Sequence, residues 1–446
     1  MVDDNDAMCR DGGIGTLFTN ARLAGAPRDA SGVWPVGCVG VRNGAIVEIA
    51  FDTAVLSTLP YQHVVDCSGY VLSMGLCEIQ FNGGWGMEFT TAALTARRLL
   101  EVAALLPSMG ITSFLPTLVS CSVEVYSNAL GVTAAAMEAQ RLEGSARGAE
   151  ILGLHLEGPF LEAAKRGAHA KERLVEVLSP ASKVIATTYG SAVDSAVVKL
   201  VTLAPGLRGA TEMTEELVRR GIVVSLGHSN ATLEQGAACL RSGATALTHL
   251  YNAMRGFHHR EPGLVGLVSE TVDAATSGAG AAAATRRLPR PFYELIADGH
   301  HVHSAAIALA YKAHPRGAIL TTDSSPLIGL PDGATRTFSE MYEHTVEVRG
   351  GRALVLGTET IAGGCCGMIG CVNNLIAMTG CALDAALATA TLHPAQLLGI
   401  ERSKGALRVG ADADFVFLDD ARDSGGGDAV VLVATWVRGV ELWRRA

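Results

Sequence analysis

The sequence predicts a (β/α)8 TIM barrel joined to a small β-sandwich built from both chain ends. Three observations carry this reading. Eight short apolar runs alternate with amphipathic helical stretches through the middle of the chain, the pattern of parallel strands covered on both faces. Strand-like runs with tight turns crowd both ends. The length, 446 residues, exceeds one ordinary domain and suits a barrel of roughly 250 residues plus a smaller partner.

Residues 1–14 are expected to be disordered. Residues 15–73 read as short strands: TLFTNARL, GCVGVRNGAIVEIA and VVDCSGYVLS, with Asn43-Gly44 as a hairpin turn. Residues 396–446 continue that character in ADADFVFLDD and AVVLVATWVRGVELWRRA. Between them, residues 74–395 are expected to form the barrel. Its strand candidates are CEIQF (77–81), TSFLPT (112–117), ILGLHLE (151–157), VTLA (201–204), IVVSLG (222–227), ALTHL (246–250), YELIA (293–297) and AILTTD (318–323). The stretch TAALTARRLLEVAALLPSMG has apolar residues at helical spacing and a glycine stop. An Ala/Gly-rich tract at 274–290 reads as a flexible insertion before the seventh strand.

Composition narrows the function. Hydrophobic residues make up 49% and charged residues 18%, below the usual quarter or so, so a large core is available. Net charge is −9 and no basic run appears, which disfavours nucleic acid. The ten cysteines are scattered without CxxC spacing, as expected of reduced thiols. The adjacent Cys365 and Cys366 are expected to be buried. The acidic, polar start is unlike a signal peptide. No apolar stretch approaches the ~18 residues of a membrane span. The expectation is a soluble, intracellular protein, cytoplasmic, acting on a small molecule.

Polar residues gather where a barrel needs them. Glu157 ends the third run, His228 follows the fifth, His249 sits in the sixth and Asp323 ends the eighth. Active sites of such barrels lie at the C-terminal strand ends. Two imidazoles and a carboxylate give a divalent cation three ligands and leave a position open for water. The unligated Asp323 is then a general base. Each residue alone has a plainer reading: a structural histidine, a Glu157 paired with Lys165 or Arg166, a helix-capping Asp323. The joint pattern favours the metal. His155 points to the same face as Glu157 and is read as packing beside the centre. His258, His259 and His300 are read as local contacts or solvated.

On GLHLEGPFLEAAKRGAHA (153–170), VTLAPGLRGATE (201–212), GIVVSLGHSNAT (221–232), THLYNAMRGFHHREPGLVG (248–266) and IADGHHVH (296–303), the sequence resembles the N-acetylglucosamine-6-phosphate deacetylases of the amidohydrolase superfamily. The resemblance runs from about residue 16 to the end, where TLHPAQLLGI and KGALRVGADADFVFLD are similar to the superfamily tail. It implies that Glu157, His228 and His249 hold the metal and that Asp323 is catalytic. It implies that His169 contacts substrate near the scissile amide and that Asn252 and Ala253 contact the sugar phosphate. Arg260 is implied as the phosphate clamp, reaching across a homodimer interface, and His301 as a substrate-binding residue. Where many amidohydrolases carry HxH, this chain has Gln80-Phe81-Asn82, which implies one metal per chain: Zn2+, with Fe2+, Co2+ or Mn2+ left open. Further departures are Met74-Gly75 and Glu78 before that stretch, Gly206 in place of a usual glutamate, and Ser324-Ser325-Pro326 after Asp323. Two rivals stay open. Another amidohydrolase would want HxH, or a lysine on strand four, where VTLAPG has none. A non-catalytic barrel binding an amino-sugar phosphate would need no acid/base.

Overall fold

The computed structural model describes residues 15–27, 34–51, 61–142, 147–190, 193–269, 288–338, 345–420 and 429–446. The 1–14 segment and the Ala/Gly-rich tract through residue 287 lie outside them.

Eight parallel strands make the barrel. In order they are Leu76–Phe81, Ile111–Leu118, Leu154–Glu157 (with Glu150–Ile151 before it on the same edge), Val198–Leu203, Val223–Leu226, Ala246–Leu247, Phe292–Leu295 and Ala318–Leu320. Several are shorter than the apolar runs that predict them. ALTHL, for instance, yields only Ala246–Leu247, because the backbone leaves extended geometry at His249. The seam between the last strand and the first carries a parallel bridge from Phe81 to Ser324. Glu78 staples that seam. Its carboxylate accepts from Thr321 Oγ1 at 2.7 Å, from the Thr322 N–H at 2.9 Å and from the Gln80 N–H at 3.0 Å. Glu78, a departure from the family pattern, thus joins the first strand to the segment after the last.

The barrel interior is layered. Cys77, Ile79, Leu115, Leu200, Ala246 and Ile319 form an apolar cluster. Thr117, Thr202 and Thr248 each follow one of these residues by two positions, so the strand period puts them inward, one layer up. There they join a hydrogen-bonded chain. Thr117 Oγ1 lies 3.3 Å from His155 Nδ1, His155 Nε2 2.8 Å from Thr202 Oγ1, Thr202 Oγ1 2.8 Å from Thr248 Oγ1, and Thr248 donates to Ser225 Oγ at 2.6 Å. Buried hydroxyls need such partners. His155 is fully committed in this chain, and burial pushes its pKa down to about 4, so the ring is neutral.

Helices cover the outside. Ala96–Leu105 begins at Thr95, whose side chain accepts from the Arg98 N–H, and the chain turns at Gly110, where φ is +79°. Leu233–Arg241 opens with a reciprocal capping box between Thr232 and Gln235. Between the eighth strand and the helix Met368–Thr379, the chain inserts an antiparallel meander of Thr335–Thr337, Thr345–Arg349 and Arg352–Val355. It has its own small core around Leu327, Phe338 and Val346. The sequence reading does not foresee it.

The two ends share one sheet. Its order is Val440–Arg444, Val430–Val437, Phe415–Asp420, Val71–Met74, Gly15–Leu23, Val36–Arg42 and Ala45–Ala50, with His63–Asp66 also beside Gly15–Leu23. Asn43 and Gly44 both take positive φ in the hairpin between Val36–Arg42 and Ala45–Ala50. An aromatic cluster joins N-terminal to C-terminal strands: Phe18 packs edge-on against Phe415 and Trp436, with centroids 5.4 and 4.9 Å away. The sheet forms the predicted small sandwich.

An ion cluster ties sandwich to barrel. Lys404 Nζ lies 2.7 Å from Glu150, at the base of the third barrel strand, and 2.8 Å from both Asp412 and Asp414, which lead into Phe415–Asp420. Only 6% of the Lys404 side chain is exposed, so the ammonium is the buried cation these carboxylates require. Cys365 and Cys366, expected to be buried, are half-buried, and the cysteines among the described residues are free thiols. No described helix is long and apolar enough to cross a membrane.

Removing one partner of a buried ion cluster leaves uncompensated charge, at a cost of about 3–5 kcal/mol. Lys404→Met is therefore expected to lower stability by that amount in chemical denaturation. An unchanged midpoint would show that the cluster does not couple the two layers.

Candidate metal centre

The centre is assembled where strands end and the backbone turns. Glu157 is the last residue of its strand. His228 and His249 each lie two residues beyond a strand, and Asp323 lies three beyond. His228, His249 and Asp323 take φ of +47°, +28° and +41°. Left-handed backbone is rare for residues other than glycine and costs about 1–3 kcal/mol at each position. Three such turns at three strand ends place their side chains together over the barrel mouth.

Three ligand-type atoms converge there. His228 Nε2 lies 3.0 Å from Glu157 Oε1, His249 Nε2 lies 2.9 Å from the same oxygen, and the two imidazole nitrogens are 3.0 Å apart. All three residues are at least 96% buried. Hydrogen bonding fixes one tautomer. His228 Nδ1 lies 2.8 Å from the Lys165 carbonyl oxygen, which can only accept. The proton is therefore on Nδ1 and the Nε2 lone pair faces the centre. Burial alone would raise the Glu157 carboxyl, but the two imidazoles hold it well below the usual range. Burial lowers the His249 pKa, but the Glu157 carboxylate outweighs it and raises the ring to about 9, so a proton lies between these two groups, in the place a cation would take. The donor set fits a single divalent cation bound through oxygen and nitrogen.

His169 lies close enough to be weighed as another ligand. Its Nε2 is 3.9 Å from Glu157 Oε2, and Glu157, His169 and His228 offer ligand atoms within 4.8 Å of one another. Its hydrogen bonds decide otherwise. His169 Nδ1 accepts from the Ser120 backbone N–H at 3.2 Å and lies 2.8 Å from Ser120 Oγ. The proton then sits on Nε2, facing the centre as a donor. Burial, with the His228 imidazole beside it, pushes this ring's pKa down to about 3, so it is neutral.

Asp323 completes the group. Asn82 Nδ2 donates to its Oδ1 at 2.8 Å. Burial and the Glu157 carboxylate raise the Asp323 pKa, while His249 and His301 oppose them. His301 is itself held by Asp298, which lies 2.6 Å from its Nδ1 and accepts from its N–H at 2.9 Å. The Asn252 N–H donates to the His249 carbonyl at 2.9 Å, and its buried side-chain Nδ2 has no partner. The Ala253 carbonyl accepts from the Ser229 N–H at 3.0 Å, tying together the loops after the sixth and fifth strands. Arg260 is exposed, on a loop where its N–H donates to His258 Nδ1 at 3.2 Å.

Two sequence departures acquire reasons. Asn82, weak as a zinc ligand, serves as a donor to Asp323. At Gly206 an added Cβ would sit 2.1 Å from Glu162 Oε1. The Glu162 carboxylate fills that space, accepting from Ser229 Oγ at 2.5 Å and from the Asn230 N–H at 3.0 Å. Sequence reasoning missed Asn82, Ser120, the Lys165 carbonyl and Asp298 as supporting groups. The amide chemistry of Asn82 was the one signal that pointed to a donor; backbone partners leave none.

Comparison with known proteins agrees with this architecture. The amidohydrolase family model matches residues 100–441. The human N-acetylglucosamine-6-phosphate deacetylase is 42% identical over 390 residues, covering 85% of each chain. The crystal structure of the N-acetylglucosamine-6-phosphate deacetylase from Pasteurella multocida superposes with a TM-score of 0.76 at 26% identity, covering 96% of this chain and 99% of that one. A variant of the Mycobacterium smegmatis deacetylase, solved in complex with N-acetyl-D-glucosamine-6-phosphate, gives a TM-score of 0.74 at 26% identity, over 96% of this chain and 100% of that one. The chain belongs to the amidohydrolase family and, within it, to the N-acetylglucosamine-6-phosphate deacetylases.

Proposed function

We propose that this chain hydrolyses the acetamide of N-acetyl-D-glucosamine 6-phosphate to D-glucosamine 6-phosphate and acetate. The observation that carries the reading is the meeting of Glu157, His228 and His249 within 3.0 Å at the barrel mouth, in a member of this deacetylase family. These three would hold one divalent cation, Zn2+ by donor type, with Fe2+, Co2+ or Mn2+ also accommodated. When bound, such a cation lowers the pKa of a water toward neutrality and polarises the acyl oxygen.

The chain's own groups supply the proton transfers. Asp323 takes a proton from the attacking water. Asn82 occupies Asp323 Oδ1, which leaves the second oxygen for that proton. As the new C–O bond forms, charge grows on the acyl oxygen. The His169 Nε2–H donates to it, from a ring kept neutral by burial. Asp323 then returns the proton to the amide nitrogen, the C–N bond breaks and the amine leaves. Asn252, Ala253 and His301 line the sugar-phosphate side of the site in this reading. Arg260 clamps the phosphate of the neighbouring subunit in a homodimer. Its planar guanidinium suits phosphate oxygens, and its exposure leaves it free to cross an interface. A sugar-phosphate binder without chemistry would have no use for a carboxylate held by a dedicated amide beside the metal ligands.

Asp323→Asn should keep its metal and lose turnover by more than the ~10²–10⁴ of a single acid–base step, because both half-reactions use it. Acetate release at the parental rate, with metal content measured in the same sample, would refute the role. Arg260→Ala should lower kcat/KM on the 6-phosphate substrate by about 10–100-fold, the worth of a charge-assisted hydrogen bond, and leave free N-acetylglucosamine nearly unaffected. Equal losses on both sugars would remove Arg260 from phosphate recognition. Elemental analysis should give about one metal per chain; two would mean that Gln80 and Asn82 help to hold another.

A further inference from the structure

Glu294 is a buried acid that the chemistry above does not use. It lies in the seventh barrel strand, Phe292–Leu295. Its neighbours Tyr293 and Leu295 pack in the large core beneath the helices, and Tyr293 donates its hydroxyl to the Ala310 and His314 carbonyls, both at 2.9 Å. Strand alternation therefore turns Glu294 toward the barrel interior. It is 0% exposed, and neither carboxylate oxygen has a hydrogen-bond partner among the described residues. Burying an unpaired carboxylate costs several kcal/mol.

The neighbouring strand carries a matching deficiency. His249 Nδ1 is buried and also lacks a partner among the described residues. The two residues are held side by side: Leu247 pairs with Tyr293 in the sheet, and the Leu250 N–H donates to the Glu294 carbonyl at 2.8 Å. Burial raises the Glu294 carboxyl to about 8, and the His249 imidazole opposes that rise more than any other group. Glu157 and Asp323 also act on it, but as like charges, and cannot satisfy it. His228 shows what such a ring requires, since a carbonyl takes its Nδ1 proton and the lone pair faces the centre. His249 has no carbonyl in that position.

We infer that, with a cation bound, Glu294 closes onto His249 and accepts its Nδ1–H, a positioning residue that fixes this ring's tautomer and aims its Nε2 lone pair at the cation. A carboxylate in that place also makes the imidazole a stronger ligand than a carbonyl does. The inference rests on His249 being a ligand, so the test separates the two ideas.

Zn2+ affinity is measured by chelator competition for the parent, Glu294→Gln, Glu294→Met and His249→Ala, alongside the melting temperature of each metal-free protein. The Nδ1–H resonance of His249 is followed in ¹⁵N-histidine-labelled, zinc-loaded protein, identified by its loss in His249→Ala. Glu294→Met is expected to weaken Zn2+ about 10–100-fold, with a metal-free melting temperature equal to or above the parent's. Glu294→Gln, which keeps an acceptor, should fall between and move the Nδ1–H resonance. It also carries the test should Glu294→Met not fold. Affinities within threefold of the parent in the Glu294 variants, beside a collapse in His249→Ala, would overturn the inference and keep the metal reading. A loss of affinity matched by an equal loss of metal-free stability would reduce Glu294 to packing and also overturn it. Parental affinity in His249→Ala would end both.

Discussion

A carboxylate oxygen and two imidazole nitrogens within 3.0 Å of one another in a dry cavity need a shared proton or a cation among them. Glu157, His228 and His249 are in that arrangement, and much of the rest of the molecule arranges around it. The Lys165 carbonyl commits His228 to the tautomer that faces inward. Ser120 commits His169 to the opposite one, so that this ring turns an N–H, not a lone pair, toward Glu157. Two histidines of one cluster thus receive different tasks from different partners, and no property of the imidazole alone separates them.

The fold makes the arrangement affordable. Left-handed backbone at His228, His249 and Asp323 is strained, and strain of this kind persists only on a stiff support. The support lies directly beneath: a layer of hydroxyls joined through His155, then an apolar layer from five strands. Glu78 joins the first strand to the segment after the last, and Lys404 binds the sandwich to the barrel base. Each is a buried charge with its partners gathered from distant parts of the sequence.

Much of this was legible in the sequence. Eight apolar runs gave eight strands because parallel strands covered on both faces need unbroken hydrophobicity. Glu157, His228, His249 and Asp323 stood out because barrel chemistry lies at strand ends. Strand lengths were overestimated at ALTHL, where apolarity continues past the point at which the backbone turns. The meander before Met368–Thr379 was missed, since its strands are short and polar on one side. Glu294 sat unremarked inside YELIA, where a single acid in an apolar run gives no sign of which neighbour it faces. The departure at Gly206 has its reason in Glu162, which fills the space a side chain would need. Contacts between positions far apart in sequence are visible only in three dimensions.

The central claim concerns the place of one cation, and anomalous diffraction from crystals of the purified protein at the zinc edge tests it most directly. The account predicts a single strong peak bonded to Glu157, His228 Nε2 and His249 Nε2, with Asp323 and His169 nearby but unbonded. A peak bonded through His169 in place of His249, or fully active crystals with no metal at those three side chains, would contradict it.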